Sequence, residues 1–195
     1  MDTRQKLFRF IILIPHKDAL KPLEEYRQKL FSMGVSGAHS FPLAAPLAEI
    51  SRPLSSDELK ELARNIRAMT KERDGKIQSR KAQYSTAQDR FLGTASAPGS
   101  GISFFGPVLD LPAENSFFPQ TIKDKLISTL LPPVFCAAVV ESREKFLSNN
   151  LSSEEAPVLS FRAASLANLA IRPLAGAEYS FEWKINPPVW LPAYK

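Results

Sequence analysis

Ala167-Asn168-Leu169-Ala170-Ile171-Arg172-Pro173-Leu174 repeats the grammar of an earlier stretch, Ala45-Pro46-Leu47-Ala48-Glu49-Ile50-Ser51-Arg52-Pro53-Leu54. Both begin Ala-x-Leu-Ala, and both close on an isoleucine and then Arg-Pro-Leu, with Ser51 intervening in the first copy. Each reads as a short apolar strand, then an arginine, then a proline whose fixed φ and missing N–H turn the chain. A pattern found once in each half predicts an internally duplicated fold. The expected organisation is one bilobal domain over residues 1–195, its interleaved lobes falling near 1–118 and 119–195. No residue type suited to catalysis stands at equivalent positions in both copies.

Working outward, Leu7–Pro15 is an almost unbroken apolar run, interrupted by Arg9 and ending at a proline. Such a run predicts a central strand covered on both faces. From Asp18 to Met33 the apolar residues Leu20, Leu23, Tyr26, Leu30 and Met33 keep near-helical spacing, with Asp18 as expected N-cap and Gly34 and Gly37 as the stop. Phe41–Ile50, the strand region of the first copy, has Pro42 and Pro46 inside it and predicts an irregular or edge strand. Ser55 or Ser56 then caps a second helix whose stripe is Leu59, Leu62, Ile66 and Met69. The first half thus reads strand, helix, strand, helix.

Between Lys71 and Arg90 six Lys or Arg face three acids, and Lys76–Tyr84 alternates like a strand, followed by a loop at Thr94–Gly101. Ile102–Leu111 reads as a strand with a break expected at Gly106-Pro107, and Gln120–Leu131 as a short helix stopped by Pro132-Pro133. Val134–Val140, Val158–Arg162, Ala167–Ile171 and Tyr179–Ile185 read as strands, with a helical turn over Ser142–Leu147. The tail Asn186–Lys195, stiff with proline and aromatic residues, is expected to pack along the body.

Composition narrows the function classes. A single cysteine, Cys136, sits in an apolar run, which excludes an intramolecular disulfide and a cysteine-rich metal site and fits a reducing compartment. Two histidines and that thiol fall short of a zinc site, so no metal or other cofactor is expected. The apolar run at 7–15 is too short to span a bilayer and carries no cleavage signal, so a cytoplasmic protein without a membrane partner is expected. A net charge of +5 admits an anionic ligand such as RNA or a nucleotide. Gly99-Ser100-Gly101 precedes a strand and has no lysine after it, unlike a phosphate loop.

Leu47–Leu59, a strand-to-helix passage, and Phe161–Arg172, a strand ending in arginine, together resemble the 2H phosphoesterase family of RNA 2',3'-cyclic phosphodiesterases and LigT-like 2'-5' RNA ligases. The resemblance implies an α+β fold: two antiparallel-rich sheets related by a pseudo-twofold around a central cleft, helices outside, and a His-x-Thr strand from each lobe. In that family one histidine deprotonates the nucleophile, the other protonates the leaving oxygen, and the threonines hold the phosphate. Here Pro46 and Ala48 in the first copy and Asn168 and Ala170 in the second stand where the family has His and Thr. None of the four can shuttle a proton. The resemblance therefore implies a diverged, non-catalytic protein with no catalytic residues, whose cleft holds a nucleotide, RNA end or other anion. Two alternatives stand beside it: an active phosphodiesterase or ligase recruiting His16 or His39, and a protein-interaction module without a small-molecule site.

The anion-binding candidates are Arg52, Arg172, His16, His39 and, in the basic stretch, Lys76, Arg80 and Lys81. Arg52 and Arg172 have two readings: converging on a phosphate through their planar forks, or closing a strand end on nearby carbonyls or acids. The histidines serve either as an acid–base pair at one sheet end or as ordinary loop residues. Oligomeric state is not legible at this stage.

Overall fold

Strand β1, Lys6–Pro15, is paired along both edges, the central place that its almost unbroken apolar run predicts. The computed structural model describes residues 6–34, 39, 41–71, 76–77, 79–86, 103–109, 111, 117–127, 138–140, 159–173 and 179–190. Along these run α1 (Lys17–Ser32), β2 (Ala45–Glu49), α2 (Ser56–Lys71), β3 (Lys76–Ile77), β4 (Ser79–Thr86), β5 (Ser103–Leu109), α3 (Gln120–Lys123), β6 (Ala138–Val140), β7 (Leu159–Pro173), β8 (Tyr179–Ile185) and β9 (Val189–Trp190). The fold is α+β with antiparallel pairing throughout. A six-stranded sheet has the order β2-β1-β7-β3, with β8 and β9 also paired to β7, and a three-stranded sheet has the order β4-β5-β6.

The first half forms as its pattern predicts: strand, helix, edge strand, helix. Three stretches differ elsewhere. The segments 158–162 and 167–171, expected as separate strands, are one fifteen-residue strand, β7. The four residues that join them, Ala163-Ala164-Ser165-Leu166, carry little strand propensity, and they are held extended because each pairs with β1. The helix expected over Gln120–Leu131 closes after one turn, and Leu126 then bridges to Ile50. Nor does β5 break at Gly106-Pro107. Proline has no ladder donor, and the irregularity falls on the partner, where Lys81 and Ala82 lie between the pairs Arg80–Val108 and Gln83–Gly106.

The doubled strands also sit differently from expectation. They do not confront each other across a cleft: β2 and β7 lie in one sheet on opposite edges of β1, so β1 satisfies its backbone groups with both copies at once. The N-cap of α1 is His16, whose Nδ1 accepts from the Asp18 N–H at 3.4 Å, two residues earlier than Asp18 itself. Gly34, at φ +90°, ends that helix in the left-handed region as expected.

Alternation along β1 divides the core. Ile11 and Leu13 face one way with Leu166 and Ala164 opposite them, under Leu59, Leu62, Ala63 and Ile66 of α2. Phe8, Phe10 and Ile12 face the other way, with Leu169, Phe41 and Trp183. The predicted stripe of α2 is thus the stripe it buries.

The start of α2 is fixed by a reciprocal pair. The Ser55 N–H donates to Glu58 Oε2 at 2.7 Å, and the Glu58 N–H donates to Ser55 Oγ at 3.2 Å. Glu58 also holds Lys125, while Ser51 N–H donates to Lys125 O at 2.8 Å and Ile127 N–H to Glu49 O at 3.0 Å. The segment 117–127 is therefore clamped across the end of β2 and onto α2. The Lys125 ammonium and then the Ser55 N–H hold the Glu58 carboxyl below the ordinary glutamate range, against the upward push of burial. A depressed carboxyl contributes stability that is complete above its unfolded pKa and is lost as pH falls through the folded value. Glu58→Gln should therefore lower stability at neutral pH and flatten its loss in the acid range, measured by urea unfolding across a pH series. Ser55→Ala should cost about 1 kcal/mol in the same assay.

Candidate functional site

The face that α2 covers over Ile11 and Leu13 continues, uncovered, toward the start of β1. Period-two alternation carries Arg9 and Leu7 onto that face, and registry brings their neighbours. Arg9 stands opposite Asn168, which stands opposite Lys184, making one row across β1, β7 and β8. The next row is Leu7, Ala170 and Glu182. With Arg172, Asn186 and Pro53 these residues line an open groove of about 420 Å³. Ala170, 6% exposed, forms its floor, and Leu7, 53% exposed, one wall.

The groove is polar by construction. Arg172 Nη2 contacts Glu182 Oε2 at 2.9 Å, a diagonal cross-strand pair, since Glu182 lies opposite Ala170. Neither Arg9 nor Lys184 makes an ion pair with a described residue. Three cations against one carboxylate leave the lining with excess positive charge.

Asn186 is pinned rather than free. Its N–H donates to Leu166 O at 2.9 Å, its carbonyl accepts from the fully buried Ser165 hydroxyl at 2.7 Å, and its side chain meets Asn168 Nδ2 at 3.4 Å. Pro187 and Pro188 follow, without N–H groups, and the ladder resumes one residue out of step at Val189–Ala164. The tail thus returns to the body at β9, as its composition predicts; residues 191–195 lie outside the described residues.

The residues singled out in the sequence separate here into groups. Asn168, Ala170 and Arg172 line the groove. Pro46 and Ala48 are buried in β2 opposite Ile12 and Ile11, away from it. Arg52 contacts Asp124 at 2.9 Å, so both arginines close on acids, and both pairs are largely exposed. The histidines do not meet: His16 caps the start of α1, whereas the His39 ring packs on Phe31 in its last turn, 5.4 Å between centroids. Sixteen helical residues separate those ends by about 24 Å, too far for an acid–base pair on one substrate. Lys76 lies in β3 opposite Ser160, and Arg80 and Lys81 lie in β4, in the other sheet from the groove. Cys136, the loops at 94–101 and 152–157 and the turn at 142–147 fall outside the described residues.

Arg9, Glu182, Lys184 and Asn186 were not singled out in the sequence. Their signal was present in part: Glu182 and Lys184 occupy the polar phase of an alternating strand, and Arg9 is the one charge inside the first apolar run. Only pairing registry puts them side by side.

Chemically, two cations that form no ion pair among the described residues, set around a carboxamide, suit an oxyanion. The groove's one carboxylate is committed to Arg172. Among the described residues no three His, Cys, Asp or Glu side chains cluster as metal ligands, and no helix is long and apolar enough to cross a membrane. No protein-family model, curated protein or solved structure matches this chain.

Proposed function

We propose that the open half of the sheet face binds a phosphorylated ligand, a nucleotide or an RNA end, without acid–base catalysis, on a diverged 2H-phosphoesterase-like scaffold. The observation that carries this reading is the row Arg9–Asn168–Lys184. Adjacent strands lie about 4.8 Å apart, so the Arg9 and Lys184 backbones are about 10 Å apart, and both side chains are long enough to close on one phosphate above Asn168. The scaffold part of the reading draws on Asn168 and Ala170, which stand at the second motif's histidine and threonine positions and line the same groove. An amide there can donate a hydrogen bond to a phosphate oxygen, but it cannot act as an acid or base.

Titration with nucleoside monophosphates and with a short single-stranded RNA bearing a terminal phosphate tests the reading. Saturable binding is expected, with log K falling on log salt at a slope of about −1.4 for two displaced counterions. Arg9→Ala should weaken it about tenfold and remove about half of that slope. Absence of saturable binding, or binding indifferent to both salt and Arg9→Ala, would overturn it.

A further inference from the structure

Strand β8 pairs with β7 along one edge and with no described residue along the other. An open edge presents unpaired backbone donors and acceptors to any strand whose side chains are compatible. We infer that the occupant is a second copy of this chain, joined β8 to β8 in antiparallel register about a twofold axis at Trp183, with Glu182 opposite Lys184 of the second copy on the groove face.

The side-chain order of β8 selects that register. A twofold perpendicular to the sheet keeps like faces together, so Phe181, Trp183 and Ile185 of one copy meet the same three of the other, while Ser180, Glu182 and Lys184 meet on the groove side. Centring the axis on Trp183 makes two Glu182–Lys184 cross-strand pairs and sets each Phe181 against Ile185, a residue 41% exposed in the single chain. Sliding by two residues either way sets Glu182 against Glu182 or Lys184 against Lys184, and like charges directly opposite are destabilising. Of these three registers one is self-complementary in charge.

On pairing, each Glu182 is shared between Arg172 of its own chain and Lys184 of the second copy, while each groove still counts three cations and one carboxylate. It also lays the two grooves end to end across the axis. The inference stands apart from ligand binding, because its test reads mass alone.

Light scattering on the full chain across a dilution series should show conversion between 21.7 kDa and twice that mass. Glu182→Lys and Lys184→Glu each place like charges in both rows, and each should shift self-association at least tenfold toward monomer. Mixed in equal amounts, the two variants restore opposite charges in every row, so the mixture should regain the dimer. Circular dichroism on each variant separates lost pairing from lost folding. Monomer at every concentration, a dimer indifferent to both substitutions, or folded variants whose mixture stays monomeric would overturn the inference.

Discussion

Phe10→Ala should lower unfolding free energy by about 3–5 kcal/mol, read as a reduced urea midpoint with an unchanged slope. Phe10 is fully buried in the central strand, its ring 5.9 Å from that of Trp183, which in turn meets Phe41 at 3.9 Å edge to face. Truncation removes the ring's transfer energy and leaves a cavity beside Phe41 and Trp183, the latter held in place by the pairing of β8 with β7. Leu7 supplies the internal control, being on the same strand, three residues away and half exposed. Leu7→Ala should change stability by less than about 1 kcal/mol. A larger loss at Leu7 than at Phe10 would mean that the faces of β1 are assigned the wrong way round.

The second large effect is polar. Arg27 is 5% exposed, and its Nη2 donates to the Phe41 carbonyl at 2.8 Å, tying the middle of α1 to the segment that leads into β2. Arg27→Met keeps most of the aliphatic stem and deletes that donor from a buried carbonyl, which should cost about 1.5–3 kcal/mol. Arg27→Lys keeps the charge without the planar fork and should fall between the two. A methionine variant as stable as the parent would show that the contact contributes nothing to folding.

What the sequence disclosed follows from the range of the forces involved. The strand at β1, the helices α1 and α2 and the alternation of β8 are written in apolar spacing within a dozen residues, and they appear where that spacing puts them. Features set by distant pairing were not legible. Ala163-Ala164-Ser165-Leu166 has no local preference for strand; its extension is imposed by β1, whose residues stand far off in the chain. The groove is the same case. Arg9 alone is an interruption in an apolar run, Lys184 alone is a solvated charge, and registry through Asn168 makes them neighbours. His16 illustrates a third kind of miss. Asp18 had the better capping propensity, but Pro15 ends β1 immediately before, so the helix begins early enough that histidine must supply the acceptor.

The same distant pairing governs how the chain can be made. Lys6 pairs with Ile171 and Pro15 with Phe161, so one edge of the first strand waits for residues translated much later. At about 5–20 residues per second, that wait is on the order of ten seconds, with Ile11, Ile12 and Leu13 lacking their final cover. Contacts of such long sequence separation also place the chain among slow folders. One edge of β1 therefore stays unpaired through most of the chain's synthesis, and a single strand, β7, then pairs with β1, β3, β8 and β9.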